Sequence, residues 1–193
     1  MQKDSILNII LVGVGLCIVC GAVISTVAVS LKDQQEQNVI FDQQSKIIDA
    51  ARLLEVYPSS QEALASIEEV VVNLNDGQPS GFPPEQYDLD SILRDSSQHT
   101  VLNGSDDIAM ISVRENLSKV YIEYRNNELK TLILPVRGYG LWGTLYGYLA
   151  LDSDLNTIVG LEFYKHKETP GLGAEVDNPN GKKRGNGKNG FDE

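Results

Sequence analysis

Residues 5–31, SILNIILVGVGLCIVCGAVISTVAVSL, run 27 positions without a charged side chain. As a helix this stretch reaches roughly 40 Å, more than the roughly 30 Å hydrocarbon core of a bilayer. A secretory signal peptide has an apolar region of only about 7–15 residues, behind a basic start and ahead of a small-x-small cleavage site. The run is nearly twice that length, so a retained membrane helix over 5–31 is the expectation. Its flanks, Lys3 with Asp4 and Lys32 with Asp33, cancel. Only the α-amino group tips the balance towards an N-terminus inside, with the rest of the chain outside the cytoplasm.

The first 33 residues hold two basic and two acidic side chains, so residues 34–193 carry the whole net charge of −11. Phosphate neutralisation needs Lys and Arg, which argues against nucleic acid as a partner. Cys17 and Cys20 both fall inside the apolar run, one helical turn apart, where cysteine behaves as a small hydrophobe. The remainder has no cysteine and therefore no disulfide or thiolate metal site.

Beyond the run, Ile40, Ile47 and Leu54 recur at helical spacing, with Val39, Ile48, Ala51 and Leu53 beside them. This predicts an amphipathic juxtamembrane helix over 34–57, stopping near Pro58. SSQEALASIEEVV reads as a second short helix capped by Ser59 or Ser60, and NDGQPSGFPPEQYD as a loop. From Asp107 the texture turns to strand: IAMISVRE, SKVYIEYRN, ELKTLILPV, GTLYGYLALD and TIVGLEFYKH, separated by turn residues. In GTLYGYLALD, Leu145, Leu149 and Leu151 share a face with Gly147, while Tyr146 and Tyr148 point the other way. The reading is α+β, with helices packed on a mainly antiparallel sheet over 58–179. The tail 180–193, rich in Gly, Asn and Lys, has almost nothing to bury and is expected to be disordered.

Several motifs fail on inspection. GYGLWG, residues 138–143, satisfies G-x-G-x-x-G, but a strand pattern follows it where a dinucleotide site needs a helix. Trp142, the single tryptophan, then sits at the tip of a strand connection, as a core residue or as an aromatic wall for a flat ligand. DSDLN at 152–156 lacks the glycine and the final glutamate of a calcium loop and reads as a hairpin turn. His99 and His166 are isolated, and no catalytic residue or metal ligand is assigned. In ETPGLG, Pro170 fixes φ, Gly171 and Gly173 permit close backbone approach, Glu168 and Thr169 offer polar atoms and Leu172 an apolar surface. Such a loop suits a planar ring with a polar edge, and it equally makes a plain tight turn.

ETPGLGAEVDNP, with GLWGTLYGYLALDSD, SKVYIEYRNNELKTLILPVRG and the anchor followed by KIIDAARLL, resembles the anchored FMN-binding subunit of the bacterial sodium-translocating NADH:quinone oxidoreductases. The resemblance covers most of residues 1 to about 179. The related flavin subunit of the Rnf electron-transport complex carries an ETPGLG-like element too, but the long region before the sheet and GLWGTLYG favour the former. The resemblance implies an FMN-binding domain outside the inner membrane, anchored by residues 5–31 in lipid. It also implies electron relay, one at a time, between redox centres of partner subunits. Glu168, Thr169, Pro170, Gly171, Leu172 and Gly173 would border the flavin, with Leu141 and Trp142 on the opposing connection. In that family FMN is joined through its phosphate to a threonine in a Ser-Gly-Ala-Thr element. No such element occurs here, and Thr169 does not replace it. The expectation is a C-terminally truncated or frame-shifted member with an incomplete domain and no covalent acceptor, inactive by itself. The alternative is an anchored structural or assembly subunit without a cofactor.

Overall fold

A computed structural model of the chain describes residues 6–177. The expected tail at 180–193 lies outside the described residues. The fold begins with α1 (Ile6–Ala50), a single helix of 45 residues. The chain divides into two compact units, one ending at Asp42 and the other beginning at Gln43. In the first, apolar side chains such as Leu7, Leu11 and Ile18 are exposed along the helix. This part is long and apolar enough to cross a membrane.

The second unit contains the last turns of α1, then α2 (Ser60–Ala65), β1 (Ile67–Asn73), α3 (Leu89–Arg94), β2 (His99–Val101), β3 (Val113–Glu115), β4 (Leu117–Arg125), β5 (Glu128–Tyr139), β6 (Thr144–Asp152) and β7 (Ile158–Lys165). Among the described residues these strands form a five-stranded sheet in the order β1-β4-β5-β6-β7 and a separate β2-β3 pair. Every pairing is antiparallel. This is the α+β architecture expected from the sequence. Strands β4 to β7 are a meander whose neighbours are joined by short connections, the local solution for alternating apolar sequence.

Three expectations are corrected in detail. Helix α1 ends at Ala50 instead of running to Pro58, because Arg52 turns left-handed (φ 51) and starts a 3-10 turn over Leu53–Glu55. That turn tucks Leu53 into the core at 1% exposure, alongside Ile47, Ile48 and Ala51, whereas Val39, Ile40 and Leu54 of the same stripe stay exposed. The second helix stops at Ala65, and IEEVVVN becomes β1. Its β-branched residues pair with β4 from Ile67 opposite Glu123 to Asn73 opposite Leu117. Ser59 caps that shortened helix by accepting from the Glu62 amide at 3.3 Å. Finally, IAMIS is a turn, and only Val113–Glu115 of that run is strand. Asp107 holds it there: its carboxylate accepts from the amides of Ile111 and Ser112, each at 2.8 Å. Met110 and Ser112 adopt φ of 51° and 63°, outside any strand conformation.

The deepest packing lies on the face of β6 that carries tyrosine. Tyr148 and Ala150 are 4% and 0% exposed, while Leu145, Leu149 and Leu151 on the other face are half-buried. The reason is close approach of the end of α1. Tyr121, Ile133, Ala150 and Gly160 stand across four neighbouring strands in register, with Ile47, Ile48 and Ala50 in the same core. A Cβ at Gly160 would run into the carbonyl oxygen of Ala50. Gly160→Ala is therefore expected to cost about 1–3 kcal/mol through overpacking. A lowered thermal midpoint checks this, and an unchanged one would show that the helix end can shift freely.

Candidate functional site

Two connections meet at the end of the sheet where β5 and β6 join and β7 leaves. The first, residues 140–143, is a tight turn closed by the Gly140 amide donating to the Gly143 carbonyl at 2.8 Å. The second follows β7. Thr169 accepts through its carbonyl from the amides of Leu172 and Ala174, both at 3.1 Å. Pro170 occupies the second position of the Thr169–Leu172 turn and Gly171, at φ 75°, the third. That is the residue pattern of a type II turn, in which the third position requires positive φ. Both open readings of ETPGLG thus meet in one segment: it is a tight turn, and its apolar residue is turned outward.

Glu168 joins the two connections. It is 8% exposed, and its Oε1 accepts from the Trp142 amide at 3.1 Å. Gly140 and Gly173 lie so close to the same carboxylate that a Cβ on either would collide with it. The Lys167 side chain covers Gly143, leaving 3.0 Å for a Cβ there. The glycines of GYGLWG and ETPGLG are therefore spaced for contact with residues 167 and 168 of this chain. A carboxylate that accepts an amide bond while being buried is one whose position is fixed by its neighbours.

Around this buried hub, apolar side chains face solvent. Leu141, Trp142 and Leu172 are 74%, 62% and 72% exposed. Trp142 is thus not a core residue. Thr169, Pro170 and Gly171 are exposed as well, and Gly173 is half-buried. The structure brings the expected site residues together through Glu168, with Leu141 and Trp142 on one turn and 169–173 on the other. An apolar surface of this kind, beside exposed backbone and hydroxyl groups, offers a flat ring both contact area and polar edge partners.

The sequence reading misses one neighbouring part. The Asp107-held turn lies against the end of β5, where the Ala109 carbonyl accepts from the Tyr139 amide at 2.8 Å. Ile108 and Met110 on this turn are 91% and 62% exposed. A strand assignment for IAMIS conceals it. The signal available is the aspartate run ahead of it, since Asp readily accepts from backbone amides a few residues on.

Residues 140–193 match the family model of the FMN-binding domain. The NqrC protein of the Na(+)-translocating NADH-quinone reductase from Pseudomonas aeruginosa is 42% identical over 201 residues, covering 99% of this chain and 75% of the relative. Its Vibrio vulnificus counterpart is 38% identical over 193 residues, covering 100% of this chain and 76% of that one. Among solved structures, Shewanella oneidensis NqrC superposes with a TM-score of 0.63 at 28% identity, over 71% of this chain and 64% of that one. The Parabacteroides distasonis counterpart gives 0.53 at 29% identity, over 77% and 65%. The chain thus spans about three quarters of those sequence relatives and just under two thirds of the solved chains. With more than 30% identity sustained over nearly its whole length, the chain belongs to the NqrC family of the Na(+)-translocating NADH-quinone reductases.

Proposed function

We propose that this chain is a membrane-anchored, FMN-carrying electron-transfer subunit of a sodium-translocating NADH:quinone reductase. The observation that carries the reading is the pair of turns held by Glu168, with Leu141, Trp142 and Leu172 exposed around a buried carboxylate. The residues fit a flavin: the glycines pack inward on Glu168, so the outer side of each turn presents apolar side chains for the ring. FMN, when bound, supplies one-electron chemistry; the protein supplies binding, orientation and electrostatic tuning. Leu141, Trp142 and Leu172 cover the ring and exclude water from it. Thr169 and the exposed backbone of 170–171 offer partners for its polar edge. Glu168 positions both turns and, as a buried carboxylate beside them, places negative charge behind the ring.

The apolar part of α1, residues 6–31, anchors the subunit in the inner membrane, with the α-amino group inside and the FMN domain in the periplasm. Electrons then pass one at a time between redox centres of partner subunits, and ion passage belongs to those partners. The full chain in nanodiscs, titrated with FMN, tests the flavin reading. Saturable quenching of flavin fluorescence is expected, weakened at least tenfold in Leu141→Ala/Trp142→Ala, with the thermal midpoint unchanged because both side chains are exposed. Absence of quenching, or quenching indifferent to that double substitution, overturns the site.

A further inference from the structure

A cavity of about 240 Å³ opens on the tyrosine-bearing face of the sheet, apart from the turns around Glu168. Tyr148 stacks on Tyr164 with ring centroids 4.8 Å apart, and Tyr121 meets Tyr148 edge-on at 5.7 Å. Tyr146 inclines towards Tyr164 at 6.2 Å. Arg137 enters from β5, opposite Tyr146 in the register. Its guanidinium donates to Glu115 Oε2 at 2.6 Å and to the Val113 carbonyl at 2.7 Å, and the side chain is only 9% exposed. The Nε–H of the same guanidinium is buried without a partner. An orphaned buried donor is costly, so an acceptor from a bound molecule is what this wall lacks.

The balance of groups indicates the kind of molecule. Burial raises the ionisation of Tyr121, Tyr148 and Tyr164, and carries Tyr87 to about 12, so these phenols stay protonated across the physiological range. The charges are already matched: Arg137 by Glu115, and Lys119 by Glu69 at 3.0 Å. Asp88 is engaged as the cap of α3, accepting from the amides of Asp90 and Ser91. Hydrogen-bond donors are in surplus, but positive charge is not. The volume lies below the roughly 300–1,000 Å³ of drug-sized sites, which limits the occupant to a small ring.

We propose that this cavity binds a neutral, planar, single-ring molecule bearing a carbonyl acceptor. The ring lies against the Tyr148–Tyr164 pair and the carbonyl accepts from Arg137. Stacking on aromatic rings supplies contact area, while matched charges give an anion no advantage. The site is independent of the flavin reading.

Benzamide, with benzoate as its anionic counterpart of the same size, tests the proposal by saturation-transfer NMR on the full chain in nanodiscs. Saturable benzamide binding is expected, with nuclear Overhauser contacts from its ring protons to tyrosine ring protons. Tyr164→Leu and Arg137→Lys are each expected to weaken it at least tenfold, whereas Tyr164→Phe, which keeps the ring, and Trp142→Ala leave it unchanged. No saturable binding at millimolar concentration overturns the site. Preference for benzoate overturns the neutral class, and loss in Trp142→Ala assigns the ring to the exposed turns instead. The Overhauser contacts on the unaltered chain decide the matter if a cavity variant fails to fold, since their absence also overturns it.

Discussion

Glu123→Ala is expected to lower the stability of the folded unit by about 3 kcal/mol, the largest effect expected of a single side chain here. Glu123 is fully buried on β4. Its carboxylate accepts from Arg125 Nε at 2.6 Å, Arg125 Nη2 at 3.2 Å, the Tyr57 hydroxyl at 2.8 Å and the Thr131 hydroxyl at 3.2 Å. Tyr57 follows the 3-10 turn beyond α1, and Thr131 lies opposite Glu123 on β5, so this one group ties the connecting segment to two strands. Truncation leaves two hydroxyls and a guanidinium without their acceptor. Arg125, with 40% of its side chain exposed, can turn to water, which keeps the cost below that of a fully buried ion pair. Urea unfolding at neutral pH measures it, and a loss under about 1 kcal/mol would show that water replaces the carboxylate cheaply.

The same group gives an acid limb to stability. Burial pushes its ionisation upward, but the bonds from Arg125, Tyr57 and Thr131 outweigh this and hold the carboxyl below its ordinary 4.5. The unfolded chain therefore binds the proton first as pH falls. The stabilisation is complete above the unfolded value and is lost as pH drops from there through the folded value. Glu123→Gln is expected to flatten that limb, most visibly below about pH 4.5, in unfolding curves taken from neutral to acid. An acid limb of unchanged slope would assign it to other carboxylates.

The second large effect is expected at Glu168. Glu168→Ala should weaken FMN binding at least tenfold, about 1.4 kcal/mol, while moving the thermal midpoint little, because the turns it joins lie at the edge of the unit. The carboxylate is the acceptor for Trp142 and the surface on which Gly140 and Gly173 rest. Without it, each turn loses the partner that sets its distance from the other. Glu168→Gln retains an acceptor of the same shape and should recover most of the affinity, whereas Gly140→Ala and Gly173→Ala should mimic the loss by forcing the carboxylate aside. Flavin fluorescence titration distinguishes these outcomes, and full affinity in Glu168→Ala would mean that the two turns hold their places independently.

The local, periodic parts of this chain can be read without coordinates. An uncharged run of 27 residues needs no tertiary information to become a helix, and alternating apolar residues between turn signals mark out the meander of β4 to β7. ETPGLG and GYGLWG can be picked out because Pro and Gly restrict or release the backbone whatever surrounds them. Other features depend on partners distant in sequence. IEEVVVN changes from helix to strand because β4, some 50 positions on, offers it a ladder. IAMIS leaves the strand class because Asp107 captures its amides. The tyrosine face of β6 takes the deepest packing only because the end of α1 descends onto Gly160. Glu168 reads in sequence as a rim residue and is instead the buried link between two turns, an outcome set by the Trp142 amide 26 positions away. Sequence alone determined the elements whose energies are local: the membrane-length helix, the strands and the glycine turns. Which face is buried and which carboxylate is enclosed were decided by tertiary structure, since burial and hydrogen-bond satisfaction are properties of surroundings assembled only when the chain folds.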